Sequence, residues 1–331
     1  MKKNIAIVGA GGWGTALAMV LSSKADIFLW CYEQETADEI QLNRTNKDFL
    51  PDVELPENII PCNDINQLKE TNIIINTVPT QYIRSVYSQI KFPVEDKIIV
   101  NGAKGIEQTT LLRVSEIFKE VLNINLNNYV VLTGPSHAEE VSKNIPTAVV
   151  TASANIELAK YIRDTISNKT FRAYSSDDVI GCELGGALKN VIAIAFGITE
   201  GLDFGDNTKA LIITRGLAEI IRLGNVYGAK TDTICGLSGL GDLIVTCNSK
   251  HSRNKLVGSL LAKGMNIDKI NNQNKMVAEG ITTTNSAYTL AKQKGIDLPI
   301  TEQVYNVIYE GLAVKQTVDN LLNREIKNEI W

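Results

Sequence analysis

Asn4-Ile5-Ala6-Ile7-Val8-Gly9-Ala10-Gly11-Gly12-Trp13-Gly14-Thr15-Ala16-Leu17-Ala18-Met19-Val20-Leu21 is the stretch whose reading decides the fold. The apolar run before Gly9 is short and rich in β-branched residues, which predicts a buried parallel strand. The segment after Gly14 has helical periodicity and good helix formers. Between them the glycines take the G-x-G-x-x-G spacing. Gly9 permits the tight turn, Gly11 lets the backbone approach a pyrophosphate, and Gly14 lets the helix pack closely on the strand. The N-terminus of the helix that follows, expected over residues 15–24, offers N–H groups and a positive dipole end to phosphates. A glycine hexamer alone is a weak signal. With a strand before it and a helix after it, the pattern predicts dinucleotide binding rather than a plain strand-turn-helix.

Outward from this stretch, Asp26-Ile27-Phe28-Leu29-Trp30 reads as the second strand. Its end, Cys31-Tyr32-Glu33, lies where a Rossmann-type domain meets the adenosine ribose. An acid there suits the 2′-OH of NAD, whereas an arginine would suit the 2′-phosphate of NADP. Glu33 is acidic but falls one or two positions later than the usual ribose acid, Tyr32 can stack on the adenine, and the first basic residue to follow is Arg44, so charge alone leans weakly toward NAD. Further strands are predicted at 72–78, 97–100, 129–133, 147–152 and 170–173, with helices at about 35–43, 65–69, 82–89 and 156–167. This alternation predicts a parallel α/β sheet. From Asp177 onward the pattern becomes helical: 183–199, 208–223, 234–240, 255–262, 282–294, 299–309 and 314–322. Residues 1–180 are therefore expected to form a dinucleotide-binding domain and residues 181–331 a helical substrate-binding and catalytic domain. Gly185-Gly186 allows the first long helix to pack closely, with the sheet domain as the expected neighbour.

The 331 residues suffice for two domains, and a chain 44% hydrophobic and 21% charged has ordinary globular composition. With 37 acidic against 33 basic residues and a net charge of −4, no nucleic-acid partner is suggested. Cys31, Cys62, Cys182, Cys235 and Cys247 show no CxxC pairing and read as reduced thiols of a cytoplasmic protein. No signal peptide is expected, because the first strand runs straight into the glycine turn. No apolar run reaches the length of a membrane span. The two histidines, His137 and His251, have no ligand-spaced partners, so no metal is expected.

Ligands of an open parallel sheet lie beyond the carboxyl ends of its strands. Asn76-Thr77-Val78-Pro79, Lys104 in Gly102-Ala103-Lys104-Gly105, and Gly134-Pro135-Ser136-His137-Ala138 occupy such positions. Lys104 is either a cation aimed at the cleft or a solvated loop residue. Ser136 can donate to a polar ligand. His137 is a helix cap or a cofactor contact, and nothing in its spacing makes it a base. In the helical half Lys189 stands among Leu184, Ala187, Leu188, Val191 and Ile192. Burial lowers the pKa of a lysine and suits proton exchange with a substrate oxygen, although snorkelling remains the alternative. Gly236-Leu237-Ser238-Gly239-Leu240-Gly241-Asp242 is too glycine-rich for a stable helix and presents Asp242. Ser252-Arg253-Asn254 offers a hydroxyl, a guanidinium fork and an amide to a phosphate, or else a helix start capped by Ser252. Glu279 is placed to reach a ribose or amide.

Taken together, these motifs resemble the NAD-dependent glycerol-3-phosphate dehydrogenase family over nearly the whole chain. The likeness rests on residues 9–18, Asn101-Gly102-Ala103-Lys104-Gly105, residues 134–140, Leu188-Lys189-Asn190-Val191, Gly201-Leu202 with Asn207-Thr208, residues 236–242, and His251-Ser252-Arg253-Asn254. It implies a Rossmann-like domain followed by an all-α domain like the C-terminal part of 6-phosphogluconate dehydrogenase. It implies reversible NAD(P)H-dependent reduction of dihydroxyacetone phosphate to sn-glycerol 3-phosphate, in a cytoplasmic homodimer that supplies phospholipid synthesis. Carried over by residue, Lys189 is the general acid and Asp242 its partner. Lys104, Gly134, Ser136, Ser252, Arg253 and Asn254 line the substrate. Gly12, Trp13, Tyr32, Lys104, Ala138, Arg253, Val277 and Glu279 meet the cofactor. Tyr32 and Glu33 depart from the basic residue that many members carry after the second strand. A β-hydroxyacid dehydrogenase or a redox-sensing protein would share the first domain, but neither accounts for residues 236–242 or the Arg253-Asn254 pair.

Overall fold

A computed structural model describes residues 3–273, 277–326 and 328–329. The strands are β1 (Lys3–Val8), β2 (Ala25–Trp30), β3 (Ile59–Cys62), β4 (Ile73–Asn76), β5 (Ile98–Asn101), β6 (Tyr129–Thr133), β7 (Thr147–Ala152) and β8 (Phe171–Ser176). They form one sheet in the order β3-β2-β1-β4-β5-β6-β7-β8. Alternation along the strands feeds two cores, one on each face. Ile5 and Ile7 of β1, Ile73 and Ile75 of β4, and Val130 and Leu132 of β6 join one core. Ala6, Val8, Ile74, Tyr129 and Val131 join the other. This two-sided burial explains the unbroken apolar runs in the sequence.

Helices α1 (Gly12–Ser22), α2 (Gln34–Asn43), α3 (Ile83–Tyr87), α4 (Val114–Leu122), α5 (Ala138–Val141) and α6 (Ile156–Ile166) connect the strands. The expected helix at 65–69 is a 3₁₀ segment, Ile65–Glu70, opened by Asp64, whose carboxylate accepts from the Asn66 N–H. The sheet is not parallel throughout: β7 pairs antiparallel with β6, and β8 pairs parallel with β7. The β6–β7 connection carries only the four-residue α5. That single turn cannot return the chain along the strand as a full crossover helix does, so the chain reverses.

The remaining chain forms α7 (Val179–Gly201), α8 (Asp206–Val226), α9 (Thr231–Cys235), α10 (Asp242–Asn248), α11 (Arg253–Ala262), α12 (Ile267–Gln273), α13 (Glu279–Lys294), α14 (Pro299–Tyr309) and α15 (Val314–Leu322). The expected helix at 234–240 is instead the end of α9 followed by a π-helical turn, Leu237–Gly241. Helix α7 is the axis of this half. It is long and apolar enough to cross a membrane by composition, yet 89% of its apolar window is buried inside the protein. It begins four residues earlier than its apolar pattern suggested, because the Asp178 carboxylate caps it by accepting from Gly181 N at 2.8 Å and also accepts from Lys230 N at 2.8 Å. Helices α7 and α11 touch backbone to backbone: a Cβ built on Gly258 would lie 2.0 Å from the Ile194 carbonyl oxygen.

Candidate active site

The strand order reverses between β1 and β4, and ligands of doubly wound sheets bind at such a switch point. The glycine turn lies there. Gly9 has φ +111°, which only glycine adopts without strain. A Cβ on Gly14 would lie 1.9 Å from the Gly9 carbonyl oxygen, so only glycine lets α1 start this close to β1. Asn46, buried and unremarked by sequence reading, pins the turn by donating to the Ala10 carbonyl and Thr15 Oγ1, each at 2.8 Å. A Cβ on Gly11 would meet nothing within 4 Å, and α1 has no side-chain cap. Open space above Gly11 and free N–H groups at Gly12 and Trp13 fit a pyrophosphate.

From this turn a cleft of about 580 Å³ runs between the sheet and the helical half. Tyr32, Glu33, Trp13, Lys104, Ser136, His137, Ala138, Lys189, Ser252, Arg253, Asn254, Val277 and Glu279 all line it, so the structure gathers residues that lie far apart in sequence. Gly134 and Asp242 stand directly behind the lining, bonded to its lysines.

The floor is a lysine–aspartate–lysine cluster. Lys189 Nζ donates to Asp242 Oδ1 at 2.7 Å and to Thr246 Oγ1 at 2.7 Å. Lys104 Nζ donates to Asp242 Oδ2 at 2.6 Å and to the Gly134 carbonyl at 2.9 Å. Lys189 is 7% exposed and Asp242 1% exposed, so Lys189 does not snorkel; its ammonium is held inside. Burial pushes the Lys189 ammonium down to about 8, against the pull of Asp242 and with help from the charge on Lys104. For Asp242, burial works to raise the carboxyl, but the two ammonium groups outweigh it and hold the carboxyl below its usual range. Thr246 was not foreseen. Its signal was present, since a residue four after Asp242 shares its helix face. Its hydroxyl donates to the Asp242 carbonyl at 2.6 Å and so receives Lys189 as an acceptor.

Two devices fix the register of α7. Gly186 faces the sheet half, where a Cβ would lie 3.0 Å from Thr133 Oγ1, as the glycine pair predicted. Six residues before Lys189, the buried Glu183 accepts from Arg113 Nη1 at 2.8 Å, Ser115 N at 2.7 Å, Ser115 Oγ at 2.8 Å and Tyr129 Oη at 2.8 Å. These bonds join α7 to α4 and β6. The π-turn positions Asp242: Gly185 lies against it, a Cβ there falling 2.9 Å from the Ser238 carbonyl oxygen.

An amide chain closes the opposite wall. Asn190 Nδ2 donates to the Lys104 carbonyl at 3.2 Å, Asn254 Nδ2 donates to Asn190 Oδ1 at 2.9 Å, and Gly280 N donates to Asn254 Oδ1 at 3.0 Å. Glu279 lines the cleft and binds the protein's own backbone there: Thr80 N donates to Oε1 at 2.7 Å and Lys104 N to Oε2 at 3.3 Å. Ser252 is the N-cap of α11, its Oγ accepting from Lys255 N at 3.2 Å. The Ser252 hydroxyl and the Asn254 amide keep a donor each beyond these bonds and line the cleft with the Arg253 fork at the α11 N-terminus. Arg253 Nη1 donates to the Val277 carbonyl at 2.9 Å. Ser136 Oγ donates to the Gly134 carbonyl at 3.0 Å. His137 holds the N-cap position of α5 without a side-chain cap bond, and its Nε2 is buried with no hydrogen-bond partner among the described residues. Burial and the charge of Lys189 keep its imidazole below the usual range.

A dinucleotide turn in one half and a buried ammonium supplied by the other, meeting across one cleft, define a two-domain nicotinamide-dependent dehydrogenase. Within that class the relationship is specific. The family pattern described as NAD-dependent glycerol-3-phosphate dehydrogenase N-terminus matches residues 4–159, and the C-terminus pattern of the same family matches residues 178–319. The chain belongs to the NAD-dependent glycerol-3-phosphate dehydrogenase family. Glycerol-3-phosphate dehydrogenase [NAD(P)+] of Bacillus pumilus is 47% identical over 332 residues, covering 99% of this chain and 96% of that protein. The protein of the same name from Pelotomaculum thermopropionicum is 45% identical over 334 residues, covering 100% of this chain and 96% of its own length. The crystal structure of glycerol-3-phosphate dehydrogenase from Coxiella burnetii superposes with a TM-score of 0.91 at 38% identity, over 98% of this chain and 99% of that one.

Proposed function

We propose that the chain catalyses the reversible NAD(P)H-dependent reduction of dihydroxyacetone phosphate to sn-glycerol 3-phosphate, with Lys189 giving and taking the proton on the substrate oxygen. The observation that carries this is the Lys189 ammonium, buried, bonded to Asp242 and Thr246, and lowered to about 8. When bound, the reduced nicotinamide supplies a hydride to the carbonyl carbon. Lys189 then passes its third proton to the developing alkoxide, an electrostatic and acid role together. Asp242 and Thr246 fix its direction. Lys104 holds the second carboxylate oxygen of Asp242 and faces the substrate beside Gly134 and Ser136. Arg253 and the α11 N-terminus take the phosphate, which anchors the substrate away from the reacting carbon.

We place the domain division at 180/181, between the start of α7 and its buried stretch. The family likeness supports a cytoplasmic homodimer that supplies glycerol phosphate for phospholipid synthesis.

Two results are expected. Reduction needs Lys189 protonated, so its rate falls as pH rises through about 8, while oxidation of glycerol 3-phosphate needs it neutral and its rate rises through the same region. Initial rates in both directions across pH check this; parallel profiles would contradict it. Arg253→Ala raises the apparent KM for dihydroxyacetone phosphate by roughly 10- to 100-fold, the scale of a charge-assisted hydrogen bond, with kcat little changed. With dihydroxyacetone, which lacks the phosphate, the variant and the parent react alike. An unchanged KM for the phosphate ester removes Arg253 from the grip. The functional reading itself is tested by comparing dihydroxyacetone phosphate with phosphate-free β-hydroxyacids: turnover of the former supports it, and turnover of the latter alone overturns it.

A further inference from the structure

We propose that this chain selects NADH over NADPH, and that Glu33 makes the selection by accepting from the adenosine ribose and repelling a 2′-phosphate. The proposal deepens the nicotinamide reading above and rests on it.

The loop after β2 is rigidly placed. Gly9 N donates to the Trp30 carbonyl at 3.1 Å and Cys31 N to the Cys62 carbonyl at 2.8 Å. Asn63 Nδ2 donates to the carbonyls of Cys31 at 3.0 Å and Tyr32 at 2.8 Å, while Trp30 Nε1 donates to the Asn63 carbonyl at 2.9 Å. Backbone held from both neighbouring strands cannot swing aside to admit a larger group. Glu33 ends this loop as the N-cap residue of α2, and its side chain makes no cap bond. It is exposed and lines the cleft on the side of the glycine turn. Tyr32 stands next to it, 71% exposed and edge-on to Trp30 at 6.2 Å, so its face is open to a flat base.

The charged residues between Tyr32 and Arg44 are of one sign. Glu33, Glu35, Asp38 and Glu39 follow in succession, and no basic residue intervenes before Arg44. The positive end of the α2 dipole already has Glu33 and Glu35 beside it. Among the described residues lining the cleft, the lysines and arginine are Lys104, Lys189 and Arg253, all tied to the far end through Asp242 or Val277.

Arg44, the nearest arginine in sequence, is committed elsewhere. It closes α2 with φ 55°, about 16 Å along the helix from Glu33. Its guanidinium donates to the carbonyls of Leu55 at 3.2 Å, Ile59 at 2.9 Å and Pro56. It is a structural clasp for the chain leading into β3. A ribose hydroxyl in this corner finds an acceptor. A phosphate ester at the same oxygen brings close to two negative charges against a carboxylate, and among the described residues that line the cleft no lysine or arginine stands at that end to answer them.

Trp13 and Trp30 line the cleft, and the chain has 3 tryptophans, so quenching of their emission reports binding without turnover. NADH and NADPH are titrated separately into the intact protein with no substrate present. NADH is expected to bind at least about 10-fold more tightly than NADPH. Glu33→Gln and Glu33→Arg, both at an exposed position, are expected to shrink and then reverse that ratio, with unchanged melting temperatures confirming the fold. Equal or tighter NADPH binding by the parent protein overturns the selection and leaves the reaction intact. A ratio unmoved by both substitutions overturns the role of Glu33. Binding of neither nucleotide overturns the functional reading and this proposal together.

Discussion

Lys189→Ala is expected to lower turnover by about 100-fold or more while the protein stays folded and binds its nicotinamide. The loss follows from the geometry. Lys189 Nζ is held by Asp242 and Thr246, each at 2.7 Å. Lys104 is committed to the second oxygen of Asp242 and to the Gly134 carbonyl. Folding survives because Asp242 keeps Lys104 at 2.6 Å, so the buried carboxylate is not left alone. The effect therefore falls on kcat, and melting temperature and nucleotide titration stay near those of the parent. Steady-state rates on the purified variant decide the matter. Turnover within a few-fold of the parent, with the fold intact, removes Lys189 from the chemistry.

Asp242→Asn acts differently, because it strikes both lysines. The parent carboxylate, 1% exposed, neutralises two ammonium groups at 2.6 and 2.7 Å. Breaking a buried pair from one side costs roughly 3–5 kcal/mol, since charge is left uncompensated. The expected result is a clear fall in the denaturation midpoint together with turnover at or below that of Lys189→Ala. A second signature separates this from general unfolding. Asp242 pulls the Lys189 ammonium upward against burial and the charge of Lys104. Its removal lets the lysine drop further, so whatever reduction activity survives declines at lower pH than in the parent. A variant with parental stability and an unshifted pH limb contradicts the cluster as described.

The fold was largely legible because its signals are local. The β1–turn–α1 stretch joins period-2 burial, a glycine with positive φ and a helix start within residues 4–21, so sequence neighbours are also neighbours in space. The passage from alternating strands to helices likewise shows in the apolar period alone. The antiparallel β7 was not legible, because strand direction depends on how far α5 carries the chain and not on the composition of β7. The π-turn before Asp242 was not legible: the apolar period predicted a helix at 234–240, the glycine spacing argued against a stable one, and neither specifies a π-turn.

The site divides in the same way. Lys189 stood out as a charge in an apolar helix, and its partners were then a matter of tertiary contact with α10. Thr246 was missed although its place four residues after Asp242 sets both on one helix face, because a threonine in a helix more often serves packing than a site. Ser252 and Asn254 were read as ligands from their chemistry; both line the cleft, and their side chains also serve the α11 cap and the Asn190–Gly280 bridge, which the sequence did not show for Asn254. Polar groups near a cleft must first satisfy the backbone around them, and sequence does not show which have capacity to spare. Arg44 illustrates the converse, since its guanidinium closes the chain before β3 and not the adenosine corner.

The most direct test of the central claim follows the near-ultraviolet absorbance of NADH and, in parallel, of NADPH, mixed with the purified protein and dihydroxyacetone phosphate. The account predicts nucleotide oxidation that depends on dihydroxyacetone phosphate, formation of sn-glycerol 3-phosphate, and loss of both in Lys189→Ala. Folded protein that binds nucleotide yet oxidises neither NADH nor NADPH with this substrate would contradict it.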